Sequence, residues 1–291
     1  MTKIDQRIES MLEEVLSDAA LKGAPPRLVE ALRYAVFPGG ARVRPRLSMA
    51  VAMACGGDEL DVAAGAAAAI ELLHCASLVH DDLPCFDNAE LRRGKPSVHM
   101  AYGDALALLT GDGLIIRAYQ VLATACQSRP DRLAGLLAVI SNGVGVPGGI
   151  VAGQAWECES DVPLAEYQRA KTGALFAAAT MAGAAASGAD PEPWRKLGET
   201  IGRAYQYADD ILDSSGDPMV IGKPVGNDAA LDRPSMVREM GQRESAEQLR
   251  QLVREAADYI PACPGEMALK KLIEAESDHF MQLALNCRAA A

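Results

Sequence analysis

Residues 78–96 read LVHDDLPCFDNAELRRGKP, with Asp81, Asp82 and Asp87 ahead of Arg92, Arg93 and Lys95, all behind an apolar run. A second acidic group lies in YQYADDILD, residues 205–213, which carries Asp209, Asp210 and Asp213. On a helix, positions i and i+4 share a face, so Asp209 and Asp213 point the same way and Asp210 turns partly aside. Like charges at that spacing cost a helix about a few tenths of a kcal/mol. One acidic pair would be read as a solvated helix end. Two clusters, each set in an otherwise apolar helix, call for a partner. Carboxylates gathered without a His/Cys set point to Mg²⁺, a hard ion that bridges protein oxygens to phosphate oxygens. Aspartates alone would repel a diphosphate. Mg²⁺ inverts the local sign, and nearby Arg and Lys take the remaining phosphate oxygens. The mixed charges of 78–96 then read as two halves of one anion trap.

Further bases stand at suggestive places. Arg42 and Arg44 follow Gly39 and Gly40, Lys171 and Thr172 open an apolar helix, and Lys223 lies in a Gly-Lys-Pro loop. Each alone reads more simply as a surface charge. Lys171 is the exception, because a lysine that starts an apolar run must find a partner.

The elements that must position these groups are helices. Ile4, Ile8, Met11, Leu12 and Val15 mark a first amphipathic helix, and Leu28, Val29, Leu32 and Ala35 a second after Pro25 and Pro26. FPGGARVRP, 37–45, is a loop leading into a helix through Met53. Helical patterns follow over 59–83, 98–109, 111–127, 131–142, 148–158, 164–187, 191–214, 235–259 and 265–286, and no alternating run convinces as a strand. The longest irregular stretch is 214–234. The expectation is one all-α domain over 1–291, with about a dozen helices.

Composition narrows the partners. Apolar residues make up 49% and aromatics 4%, which favours closely packed helices over a β-sandwich. A formal net charge of −11 argues against nucleic acid and against docking on an anionic membrane. The 7 cysteines stand singly, a pattern of reduced core thiols in a cytosolic protein without a zinc site or disulfide framework. The N-terminus reads as an acidic amphipathic helix, not a signal peptide. Two uncharged stretches, 133–156 and 172–189, read as buried helices because glycine, proline and weak hydropathy spoil them as membrane spans.

In order along the chain, GGARVRP, DDLPCFD with RRG, GQ at 153–154, KT, DDILD and GKPVGND resemble the trans-isoprenyl diphosphate synthase family, from about residue 35 to 240. Phrases such as VFPGGARVRP, HCASLVHDDLP, AGQAWE and KTGALF are similar to its geranylgeranyl-forming members in carotenoid pathways of purple photosynthetic bacteria. The resemblance implies a helical bundle around a deep central cavity, usually a cytoplasmic homodimer, with the aspartate motifs facing each other across the mouth. It implies Mg²⁺, three ions with substrate bound, and the condensation of isopentenyl diphosphate with dimethylallyl, geranyl or farnesyl diphosphate. Such chemistry needs charge stabilisation and exclusion of water more than a side-chain base. Carried over by position, Asp81, Asp87 and Asp209 are the principal metal carboxylates, assisted by Asp82, Asp210 and Asp213. Arg92, Lys171 and Lys223 hold the allylic diphosphate, while Thr172 and Gln206 offer oxygen dipoles to the developing cation. Arg44, His74 and Arg93 hold isopentenyl diphosphate. Arg233 keeps the charge of a lysine usual in relatives. Ala41 departs from the pattern, since most relatives have lysine there, and neighbouring Arg42 is the candidate replacement.

Product length is read one turn, roughly 5.4 Å, deeper than Asp81. Ala76 and Ser77 stand where farnesyl-making relatives commonly carry an aromatic stop, so a longer tail can pass, and Leu72 and Leu73 come next as a floor. Twenty carbons is the expected length. The alternatives are a farnesyl diphosphate synthase and a non-catalytic partner subunit of a heteromeric synthase, kept open by Ala41. A terpene cyclase would lack RRGKP and would carry a different second metal motif.

Overall fold

Small side chains set the architecture. The computed structural model describes residues 2–215 and 236–275. Helices α1 (Lys3–Val15), α2 (Pro26–Val36) and α3 (Val43–Ala54) lead into the long α4 (Leu60–Asp81). Along α4, residues 62–70 are alanine and glycine apart from Val62 and Ile70, and all are buried. A helix apolar on every side belongs in a core, and α4 is enclosed by α6 (Asp104–Ala125), α3 and α10 (Ala174–Ala186). The second buried helix is α10, richer still in alanine, packed on α3, α7 (Pro130–Val144) and α11 (Arg195–Ser215). Between these helices lie Leu72, Leu73, Leu114, Leu122, Leu136, Ile140 and Phe176, all essentially inaccessible. Each contributes about 1.5–3 kcal/mol by burial.

Four short helices, α5 (Val98–Tyr102), α8 (Ile150–Ala155), α9 (Leu164–Gln168) and α12 (Met236–Met240), and the longer α13 (Gln242–Asp258) complete the bundle. Residues 266–275 are again helical, and the Gly265 amide just before them donates to the Ala54 carbonyl at the end of α3. The all-α expectation holds among the described residues, with four local departures. The break expected near residue 110 falls at Gly103, and the 235–259 pattern breaks at Gly241; both glycines have positive φ, 88° and 84°. Residues 91–96 form a small hairpin, β1 (Leu91–Arg92) and β2 (Lys95–Pro96), with Leu91 opposite Pro96 and Arg92 opposite Lys95. Between α9 and α10 the helix widens into a π-turn over Arg169–Gly173.

Helices α4 and α6 are both long and apolar enough to cross a membrane by length and composition. The bundle encloses α4. Helix α6 turns Leu108, Leu109 and Ile116 outward, 49%, 52% and 58% exposed.

Candidate active site

The first cluster is built at the end of α4. Asp81 is the last residue of that helix and Asp82 its C-cap, so two carboxylates sit at the negative pole of the helix dipole. The chain then folds back on the helix end. The Asp87 amide donates to the Asp81 carbonyl at 2.9 Å, Asn88 N to Leu83 O at 3.1 Å, and Ala89 N to Asp82 O at 3.2 Å. Asn88 makes the return with φ 47°, a left-handed conformation its short polar side chain tolerates. Six residues apart, Asp81 and Asp87 could not share a helix face; the loop brings them together.

Glu157 joins them. It lies in a 3₁₀ turn, Trp156–Cys158, directly after α8, and carboxylate oxygens of Asp81, Asp87 and Glu157 lie within 4.8 Å of one another. Helix α8 reaches this position because Gly153 lies against the backbone of Lys171; a Cβ there would come 2.3 Å from the Lys171 nitrogen. Next to it, Gln154 Nε2 donates to Asp81 Oδ1 at 3.0 Å and to the Ser77 carbonyl at 3.4 Å. Lys171 Nζ donates to Glu157 Oε1 at 2.6 Å and to Asp81 Oδ1 at 3.4 Å, and the Tyr167 hydroxyl donates to Glu157 at 2.6 Å. Three oxygens converging from separate elements, with no sulfur or imidazole among them, fit a hard divalent cation.

Asp82 turns the other way. It is 2% exposed and paired with Arg92, whose Nε lies 3.0 Å from Oδ1. Burial pushes the Asp82 carboxyl up against the opposing pull of Arg92. The hairpin that supplies Arg92 has a two-residue turn, Arg93 and Gly94, both at positive φ, 54° and 74°. That turn type suits the twist of a tight hairpin. It sets Arg93 against Gly40, where a Cβ would lie 3.1 Å from Arg93 Nε. Lys95, opposite Arg92, donates to the Tyr34 and Phe37 carbonyls at the C-terminal end of α2.

A basic group collects beyond the hairpin. Arg44, at the N-terminal end of α3, is buried with its guanidinium 4.2 Å from the centre of the Phe176 ring and 5.6 Å from that of Tyr205. Its Nε has no hydrogen-bond partner among the described residues. Desolvation, followed by Arg44 and Arg93, holds the His74 imidazole well below its ordinary pKa, so it is neutral at pH 7. Neither Arg44 nor Arg93 has a carboxylate partner within salt-bridge distance among the described residues. Two cations without a carboxylate partner, Arg44 at the N-terminal end of α3 and Arg93 in the hairpin turn, form a place for an anion. Arg42 does not join them. It bonds Glu9 at 2.8 Å, Glu71 at 2.6 Å and the Val36 carbonyl at 3.0 Å, which corrects the expectation that it stands in for a lysine at 41.

The second cluster ends α11. Asp210 and Asp213 are buried and Asp209 half-buried. Asp210 Oδ1 accepts from Gln206 Nε2 at 2.8 Å, and Oδ2 accepts from the Met236 amide at 2.8 Å. Gln206 Oε1 accepts from the Thr172 hydroxyl at 2.7 Å. Helix α11 comes this close because Gly202 meets Gly173, whose Cα would lie 2.9 Å from a Cβ at 202. Lys171 thus reaches the first cluster and Thr172 the second. Lys223 and Arg233 lie outside the described residues. On α4, Ala76 is buried, and the Ser77 hydroxyl bends back to the His74 carbonyl at 2.8 Å.

Sequence reasoning missed Glu157 as a member of the site. Its signal was a carboxylate closing a stretch, 133–156, that carries no charge.

A helical bundle with two acid-ended helices bridged by a Lys-Thr turn defines a class, and the chain belongs to it: residues 25–272 match the polyprenyl synthetase family. It is 50% identical over 280 residues to geranylgeranyl diphosphate synthase of Rhodobacter capsulatus, covering 96% of this chain and 97% of that one. To the enzyme of the same name from Cereibacter sphaeroides it is 48% identical, covering 98% and 99%. Its fold matches the crystal structure of a Helicobacter pylori geranyltransferase complexed with magnesium and isoprenyl diphosphate, with TM-score 0.80, 28% identity and coverage of 96% and 99%.

Proposed function

We propose that this chain is a Mg²⁺-dependent trans-prenyltransferase that condenses isopentenyl diphosphate with dimethylallyl, geranyl or farnesyl diphosphate to give geranylgeranyl diphosphate. The observation that carries the reading is the convergence of Asp81, Asp87 and Glu157 on one another, with Lys171 bonded to Asp81 and Glu157. The names of the Rhodobacter and Cereibacter relatives, matched over nearly the whole chain, support the twenty-carbon product.

Asp81, Asp87 and Glu157 on one side and Asp209 with Asp213 on the other would hold Mg²⁺, with Asp82 holding Arg92 in place. Bound Mg²⁺ supplies Lewis-acid neutralisation of the departing diphosphate. Lys171, Arg92 and Lys223 take oxygens of the allylic diphosphate, and Arg233 adds charge nearby. Arg44, Arg93 and the neutral His74, as an N–H donor, take isopentenyl diphosphate. The Thr172 and Gln206 oxygens face the allylic centre as positive charge develops there. Loss of the allylic diphosphate leaves a cation, the isopentenyl double bond attacks it, and the departed diphosphate accepts the proton that is then released. Ala76 and Ser77 leave the growing tail room to descend along α4.

The outward Leu108, Leu109 and Ile116 of α6 suit burial against a second copy, and we place the enzyme in the cytoplasm as a homodimer. Its product serves carotenoid and bacteriochlorophyll tails.

The test is elongation by purified protein with Mg²⁺, labelled isopentenyl diphosphate and each allylic starter, with products dephosphorylated and sized. A twenty-carbon alcohol that disappears with EDTA is expected. A fifteen-carbon product would keep the enzyme and refute the length. No elongation from any starter would favour a partner subunit, which Ala41 and the inward turn of Arg42 make the second reading.

A further inference from the structure

Asp210 has the sequence position of a metal carboxylate and the bonds of something else. It is 2% exposed, and its two oxygens accept from two different elements, Gln206 of α11 and the Met236 amide that begins α12. An ionised carboxylate only accepts hydrogen bonds. The Gln206 amide must therefore turn its NH₂ toward Asp210, which leaves its oxygen on the other side. That oxygen faces Thr172, so the Thr172 hydroxyl has to donate to it, as the 2.7 Å contact records. The hydroxyl makes no other hydrogen bond among the described residues, so its hydrogen is spent on Gln206 and its lone pairs remain for the space beside Lys171. The order of polarity, Met236 N–H to Asp210, Gln206 N–H to Asp210, Thr172 O–H to Gln206, is set from the carboxylate outward.

We propose that Asp210 is a positioning residue for the reaction: it fixes the Gln206 amide so that Thr172 presents oxygen lone pairs, and not its hydrogen, to the allylic centre. This rests on the prenyltransferase reading above. A hydroxyl hydrogen aimed at a developing carbocation would oppose it, whereas a lone pair stabilises it. With Asp210→Asn, the new amide keeps its oxygen on Met236 and turns its NH₂ toward Gln206. Two donors then face each other, Gln206 flips, and the Thr172 hydroxyl is forced to accept, releasing its hydrogen toward the site.

The experiment measures kcat, and the Mg²⁺ concentration for half-maximal rate, in the full chain. The set is wild type, D210N, T172A, D210N/T172A, and D210N/Q206E, with circular dichroism melts as the check on folding. D210N is expected to lower kcat about tenfold to a hundredfold without moving the Mg²⁺ midpoint. D210N/T172A is expected to be no slower than T172A, because the Asp210 effect passes through Thr172. In D210N/Q206E a carboxylate at 206 accepts from both neighbours, the polarity returns, and kcat is expected to rise about tenfold over D210N. A Mg²⁺ midpoint raised in D210N, with kcat recovered at saturating metal, would make Asp210 a metal ligand and overturn the proposal. Additive losses in D210N/T172A would overturn it too. Should D210N not fold, D210N/Q206E is read against Q206E alone, and a slower double variant overturns it. An inactive wild type would fell the prenyltransferase reading first.

Discussion

The two aspartate clusters look alike in sequence and are built differently. The first uses a helix end and a loop that doubles back, so its carboxylates come from α4, the loop and the turn after α8. The second lies on one helix, and its middle member is committed to Gln206 and Met236. Both place acids at the negative pole of a helix, while α3 gathers arginines at its positive pole. Each placement opposes the helix dipole by itself and needs a counter-charge, as Arg92 gives to Asp82 and Glu9 and Glu71 give to Arg42. The difference teaches that one cluster is assembled for exchange of its partner and the other partly for packing.

That contrast can be broken most forcefully at its centre. Asp81→Asn should lower kcat by about 10²–10³-fold, because it strips the residue on which Gln154 and Lys171 converge. Asp209→Asn should cost no more than this; a larger loss in steady-state kinetics would reverse the ranking of the clusters. Glu157→Gln should raise the half-saturating Mg²⁺ concentration by about tenfold with a smaller change in kcat, since one of three converging oxygens loses its charge. A Mg²⁺ titration that does not move would remove Glu157 from the metal set. Ala76→Phe, on α4 and without a counterpart on α11, should shorten the product from twenty carbons to fifteen while the metal dependence stays put; product sizing decides it. The smallest effect concerns His74. Folding holds its imidazole below the ordinary value, so the unfolded chain binds a proton near pH 6.5 that the folded chain does not. This part of the stability is present above that pH and is lost as pH falls below it. His74→Gln should flatten the decline in melting temperature between pH 7 and 5.

Much of the fold is legible in the sequence because helical periodicity is long and strong, as in 59–83 read against α4 at Leu60–Asp81. Boundaries slipped where a glycine at positive φ, Gly103 or Gly241, overruled an otherwise continuous pattern. The hairpin at 91–96 escaped because two residues per strand carry no alternation, and its only signal was the two-residue Arg-Gly turn. Candidate site residues on single helices could be placed by spacing. Glu157 could not, since nothing local to it reveals that α8 passes against Lys171 through Gly153. Arg42 and Arg44 differ by two residues and point into different surroundings, one into a pair of glutamates and one onto aromatic rings. Only tertiary packing separates them.

Lys171 carries one last consequence. Its ammonium already sits among the oxygens of Asp81 and Glu157, so the carboxylates are never bare and do not spring apart for want of a counter-charge. A divalent ion bound by those same oxygens would be a replacement, not an addition. The displaced ammonium would stay tethered beside the carboxylates, within reach of an anion that follows, so the lock and the latch would be worked by one movement.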